Sequence, residues 1–402
     1  MSVKFLIEIT VGVVFLVFLY LFLFTPLRNS RTWKATITPL ASIIGSGFLV
    51  VAPLLYFIVG DLAPVAMLSI VVVAYMIGEA IRFNIIHEEP LLEPDRKDPF
   101  IQELETMSNL ILSFAYVISV AFYIRLMSSF IMEGFFHKMP LVENVITTLV
   151  LLFIGINGFL RGLDRLENLE EYSVSIKLSV IAALLIGYLM HDVSVGFHVK
   201  GVIKPFTLET LQYLGGILLV VQGFETSKYI AHKYTPQERV RTMKLAQIIS
   251  GFIYVAFILL ALPLLYLLSG QKVDEAAIIG MSRHVSILLA YLLVIGAIMS
   301  QFSAAVADTI GAGGLLSMET RNRLKPRTSY LIITLAAIAL VWSANIFEII
   351  TYASRAFAAY YLVQVVIALI LAWRKRMIGY VFLFVVNVII LAFIVVMGKP
   401  VG

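Results

Sequence analysis

Two short stretches put polar backbone where an unbroken apolar helix would have none: "IIGSGF" at residues 43–48 and "VVQGFE" at 220–225. Gly45, Ser46 and Gly47 in the first, and Gln222, Gly223, Phe224 and Glu225 in the second, are expected to interrupt their helices. Backbone N–H groups at the start of a new half-helix favour an anion. Carbonyls left at the end of the old one favour a cation or an ammonium, so two such breaks side by side suit a zwitterion. Plainer readings stand beside this one. Gly45 and Gly47 are also what a small-residue packing face requires, and Glu225 is three residues from Lys228, the spacing of an intrahelical ion pair.

A second set of groups is suited to carrying an ion. Lys177, in "SVSIKLSVIAALL", lies in an apolar run with no acid within a turn on its C-terminal side. A desolvated lysine can lose and regain a proton near neutrality; the alternative is a lysine whose stem reaches the headgroups. Ser300 and Ser303, with Asp308 in the same segment, offer the oxygen ligands that a sodium ion wants, although serines in such helices also bond to their own backbone. Asp308 has Lys177 and Arg125 as candidate partners. Tyr116 and Ser119 are three apart, on one face, and line a pocket or pack. Arg125 reads as a gate or a structural pair, Glu79 and Arg82 as an interfacial pair, and Arg355 as a partner of Glu348.

The elements that hold these groups are membrane helices. Of the 402 residues, 60% are hydrophobic and 14% charged, well above the ~45–50% apolar share of soluble domains. Twelve apolar stretches of about 20 residues follow one another, each long enough to cross a core of roughly 30 Å as a helix. They fall near 5–25, 37–59, 63–83, 107–132, 142–160, 172–190, 210–231, 246–269, 285–312, 328–344, 346–372 and 378–397. The first is kept as a span rather than a cleaved leader, because no small-residue cleavage site precedes Pro26. Of the 30 Lys and Arg, 19 fall in loops on one side of this alternation and 7 on the other. The richer side is expected to be cytoplasmic, with both termini outside. Arg125, Lys177, Lys228 and Arg355 remain inside spans. A charge at mid-membrane costs roughly 2.5–3.5 kcal/mol, so it survives with a partner or for a use.

The two breaks open spans an odd number apart, which gives two halves of opposite orientation. That is the layout of a transporter built from inverted repeats. The basic excess lies in these loops and implies no nucleic-acid partner. An embedded enzyme would need a nucleophile with its base, or a metal with ligands, at the depth of its substrate. There is no cysteine and no HExxH pattern, and all six histidines fall in loops or at span ends. No enzyme activity, cofactor or metal is expected.

Several segments together resemble one family. "IIGSGF" resembles the unwound first core helix of the amino acid–polyamine–organocation (APC) transporter superfamily, and "QGFETSKYIAHKYTPQERVRTMKLAQ" its sixth. "AYMIGEAIRF" is similar to the second core helix, "LEEYSVSIKLSVIAALLIG" to the fifth, "SAAVADTIGAGGLLSMETRNRLKP" to the eighth and "FEIITYASRAFAAYYLVQVVIALILAWRKR" to the tenth. The loop "HEEPLLEPDRKDPFIQELE" replaces the family's usual segment, and Gln222 stands where members more often have a small or acidic residue.

The resemblance implies an all-α polytopic protein with a leucine-transporter-like 5+5 inverted repeat. Residues 1–34 would be an extra N-terminal helix and basic loop, 35–190 and 209–372 the two five-helix halves, and 373–402 a trailing helix. It implies that amides at Gly45, Ser46 and Gly47 receive a carboxylate, that carbonyls near Gln222 and Gly223 receive an amine, and that Phe224 gates. Lys177 would stand where related proteins hold sodium. The expected function is secondary active transport of amino acids or related amines, proton-coupled, across the plasma (inner) membrane. The partners are then a small-molecule solute, a proton or sodium ion, and the lipid bilayer. Sodium coupling through Ser300 and Ser303, or a solute sensor on the same fold, is the alternative.

Overall fold

The computed structural model describes residues 3–45, 47–92, 98–136, 139–163, 169–231, 233–268, 274 and 276–400. Ser46, His137 and His232 lie outside them, as do Arg96, Lys97, Lys138, Arg165 and Lys272 of the loop charges. The described residues are almost wholly helical, with one isolated β-bridge between Gly60 and Ile203.

The helices in chain order are α1 Val3–Phe24, α2 Arg31–Ile43, α3 Gly47–Val59, α4 Ala63–His87, α5 Pro99–Phe135, α6 Pro140–Arg161, α7 Leu169–Val195 and α8 Leu208–Gly216. They continue as α9 Thr226–Tyr229, α10 Pro236–Leu265, α11 Ala277–Val285, α12 Ile287–Glu319, α13 Pro326–Ser343, α14 Ile346–Arg374 and α15 Ile378–Met397. Among the described residues, ten helices are long and apolar enough to cross a membrane, and α2 with α3, bent by 42°, pass the same test as a pair, giving up to eleven spans. Segment 210–231, expected as one span, is instead α8, a 3-10 turn at Leu218–Val221, and the single turn α9.

Helix starts follow local chemistry. The Asp98 carboxylate accepts from the Phe100 and Ile101 N–H groups ahead of Pro99, which begins α5 well before its apolar stretch. Thr235 with Glu238, and Asn345 with Glu348, form capping boxes on α10 and α14. The start of α12 is capped from another helix. Glu8 on α1 accepts from Ile287 N–H at 2.7 Å, Leu288 N–H at 3.1 Å and the Ser286 hydroxyl at 2.7 Å. That contact explains how a helix as apolar as α1 tolerates a carboxylate, and it docks α1 on the bundle beside α7.

Two packing groups result. Helices α5, α6, α12 and α13 lie against one another, and α2, α3, α4 and α10 form the other set, while α14 touches both α4 and α5. Buried pairs stitch these helices together. Arg125 pairs with Glu143, which also accepts from Ser129, so it is a structural pair joining α5 to α6. Glu79 and Arg82 pair at 2.7 Å as their spacing requires. Arg355 does not reach Glu348; it donates to the Val395 carbonyl at 2.7 Å and holds the end of α15.

Candidate functional site: a cavity beside two interrupted helices

Helix α2 stops at Ile43, and the chain turns through Ile44 and Gly45 before α3 begins at Gly47. The Gly-Ser-Gly run explains the stop, since glycine disfavours helix, and Pro39 one turn earlier has already removed a hydrogen bond from the ladder of α2. The carbonyls released at the end of α2 are met from other helices. The Lys177 ammonium, on α7, donates to the Ala41 carbonyl at 2.7 Å. The Tyr254 hydroxyl, on α10, lies 2.9 Å from the Ile43 carbonyl and also within bonding distance of the Val220 carbonyl. A hydroxyl has one proton to donate, so Tyr254 serves one of the two carbonyls at a time.

The second interruption spans residues 217–225. Gly223 has φ of +112°, a conformation that only glycine adopts without strain. Its N–H donates to the Glu225 carboxylate at 3.0 Å, and its carbonyl accepts from the Thr226 hydroxyl at 2.7 Å. Glu225 also accepts from the Tyr361 hydroxyl. Glu225 is therefore not paired with Lys228; it closes the turn that precedes it.

The two interruptions touch. A Cβ on Gly47 would lie 2.6 Å from Val220 Cα, and one on Gly223 would lie 2.3 Å from Ser42 Oγ. Each glycine thus admits the backbone of the other break, and neither position has room for a side chain.

A cavity of about 490 Å³ opens beside the first break. Gly45, Tyr116, Lys177, Ser300, Ser303 and Asp308 all line it, brought together from the α2–α3 turn, α5, α7 and α12. Gly47, Gln222, Gly223, Phe224 and Glu225 do not. Phe224 is buried and stacked on Tyr361, with ring centroids 5.0 Å apart. Gln222 is buried, and its Oε1 has no hydrogen-bond partner among the described residues. The second segment reaches the cavity just beyond its break, through Thr226, Tyr229 and Ile230.

Of the serines, Ser303 donates to the Ser300 carbonyl at 3.2 Å, a bond to its own helix, whereas the Ser300 hydroxyl is buried and unpartnered among the described residues. Ser119 likewise bonds to its own helix, through the Ala115 carbonyl, and does not line the cavity. Its place is taken by Tyr123, two turns from Tyr116 on the same face. The sequence carries that seven-residue spacing, and Tyr123 was the residue to read from it. Tyr254 left no such signal, because its role depends on where two distant breaks meet.

Comparison with known proteins agrees with this architecture. A protein of Aquifex aeolicus (strain VF5), described as an uncharacterized protein, is 51% identical over 390 residues, which cover 96% of each chain. A family model described as APC superfamily transporter matches residues 25–398, from the start of the loop after α1 to the end of α15. With broken helices around a cavity and a family match over nearly its whole length, the chain belongs to the APC superfamily of membrane transporters.

Proposed function

We propose that the protein is a secondary active transporter of amino acids or related amines, coupled to protons through Lys177. The observation that carries this reading is the Lys177 ammonium on the Ala41 carbonyl, at the end of the first half-helix and on the wall of the cavity. A cation that can shed its proton holds the carbonyls of the break. When the proton leaves, that hold weakens and α2 is released to move.

In this reading a solute carboxylate docks on the amides at Gly45, Ser46 and Gly47. Its amine faces the second segment near Gln222, Gly223 and Thr226, with Tyr116 as a wall and Asp308 as a nearby acid. The turn held by Phe224 and Glu225 is the pivot. Residues 35–190 and 209–372 act as the two halves, each opening on its interrupted segment, with 1–34 and 373–402 as additions. The basic-rich loops face the cytoplasm, both termini lie outside, and the membrane is the plasma (inner) membrane. The cavity, which extends from Gly45 to Lys233 and Gly314 near basic-rich loops, is then open to the cytoplasm.

Sodium coupling is less favoured by the geometry. A sodium ion would need the released carbonyls, and Lys177 and Tyr254 already meet those of Ala41 and Ile43. A panel of the common amino acids and polyamines, read by thermal shift on the purified protein, tests the solute class. Specific stabilisation by one α-amino acid or amine, lost in Lys177→Ala or Tyr116→Ala, is expected. No stabilisation by any of them would contradict the solute class. Binding without accumulation in proteoliposomes would make the protein a sensor.

A further inference from the structure

Away from the cavity, on the back of α9, Lys228 is buried against two carboxylates. Its ammonium lies 2.9 Å from Glu88 Oε2, just past the end of α4, and 2.9 Å from both carboxylate oxygens of Glu105 on α5. It also donates to Gln364 Oε1 on α14 at 3.1 Å. Gln364 donates in turn to Glu105 at 2.7 Å and to Ser108 at 2.9 Å, and accepts from Asn84 at 2.9 Å. Among the described residues, the other charges near the cluster have partners of their own. Arg239 on α10 binds Glu89 and the Lys228 carbonyl. Lys375, beyond α14, bonds to His87. Tyr229 lies beside Tyr360, hydroxyl to hydroxyl at 3.5 Å.

The charges of the cluster do not balance. Two ionised carboxylates and one ammonium leave one negative charge in excess, in a buried place. Such a charge is neutralised by a proton rather than tolerated. Two features locate that proton. The carboxyl groups of Glu88 and Glu105 meet on the one Lys228 ammonium, each 2.9 Å from it. Glu88 Oε1 is buried with no partner among the described residues.

We propose that Glu88 and Glu105 form a one-proton binding site, and that its occupancy decides whether Lys228 clamps α9 against α5. The front of α9 lines the cavity through Thr226 and Tyr229, so the clamp links a titratable group to the cavity wall. It also joins the packing set of α4 and α10 to that of α5 and α12. This site is separate from Lys177 and stands whether or not Lys177 carries the coupled proton.

Burial pushes the Glu88 carboxyl up to about 8, against the pull of Lys228. Its folded-state value is thus above the ordinary value of 4.5. The stabilisation is therefore complete below that ordinary value and is lost as the pH rises through about 8. Above it, the excess charge loosens α9.

The test uses the absence of cysteine in the chain. A single cysteine is placed by Ile230→Cys on the cavity side, and its labelling by a water-soluble maleimide is normalised to the same cysteine in the denatured chain. Between about pH 6 and about pH 9.5 the normalised rate should rise about fivefold in one proton step, as α9 opens locally. Glu88→Gln, which mimics the protonated acid, should hold the rate at its low value throughout. Glu105→Gln removes the excess charge, lets Glu88 ionise against Lys228 as a balanced pair, and should also hold the rate low with no step in this range. Lys177→Ala should leave the step in place. A flat profile in the Ile230→Cys parent, or an unchanged step in Glu88→Gln, would overturn the proposal. Loss of uptake in proteoliposomes with the step intact would count against the transport reading alone.

Discussion

At the first interruption the loose carbonyls of Ala41 and Ile43 are met by Lys177 and Tyr254, which come from other helices. At the second, Gly223 is satisfied on both its N–H and its carbonyl by Glu225 and Thr226, within three residues of itself. The second break also has partners from outside, Tyr254 at the Val220 carbonyl and Tyr361 at the Glu225 carboxylate, but its glycine is closed by its own neighbours, and the two bonds that close it hold whether or not other helices move. A break held by distant side chains, one of them the lysine proposed to carry the coupled proton, would have two states within reach. In the proposed function this asymmetry puts solute gripping and coupling at the first break and the pivot at the second.

Substitutions that strip each break of its partners bear directly on this contrast. Glu225→Ala leaves a buried N–H and the Tyr361 hydroxyl without their acceptor, and should cost about 2–4 kcal/mol in unfolding of the detergent-solubilised protein. Tyr254→Phe removes the hydroxyl shared between Ile43 and Val220, and about 1–2 kcal/mol is expected by the same measurement. Lys177→Met removes the hydrogen bond to the Ala41 carbonyl beside a polar cavity, worth about 1 kcal/mol or less. If Lys177→Met proved as destabilising as Glu225→Ala, the two breaks would not differ as described.

The smallest effect lies at the surface, where Arg31 at the start of α2 pairs with Glu238 of the α10 capping box. The hydrogen bond from Arg31 lowers the Glu238 carboxyl from 4.5 to about 2. Its contribution is therefore present above 4.5 and lost as the pH falls through about 2. Glu238→Gln should lower the melting temperature slightly at low salt, with the difference shrinking as salt is added. A salt-independent difference would assign the effect to the cap rather than to the ion pair.

The helices and the places where two of them break were legible in the sequence, because apolar length and glycine punctuation are local signals. So was the Glu79–Arg82 pair, which needs only one turn of helix. Contacts between distant residues were not. Glu225 is well spaced for Lys228, but the turn at Gly223 directs its carboxylate back along the chain. Lys228 instead meets Glu88 and Glu105, 140 and 123 residues away. Those two acids sit at either end of the loop that departs from the family's usual segment, a hint that composition alone could not convert into a contact. Of the cavity residues, Tyr116, Lys177, Ser300, Ser303 and Asp308 on long helices could be read by depth and face and Tyr123 was missed there, whereas Tyr229, like Tyr254 outside the cavity, depends on how the interrupted segments cross.

In the proposed function the cavity bears the solute, and its break is held by a lysine that gives up its proton. The most direct measurement is uptake of labelled amino acids and amines by proteoliposomes with the solute side made acid, for the unaltered protein and for Lys177→Ala. Accumulation above equilibrium in the former, and equilibration without accumulation in the latter, is the predicted result. Equal, gradient-driven accumulation by both would contradict the claim.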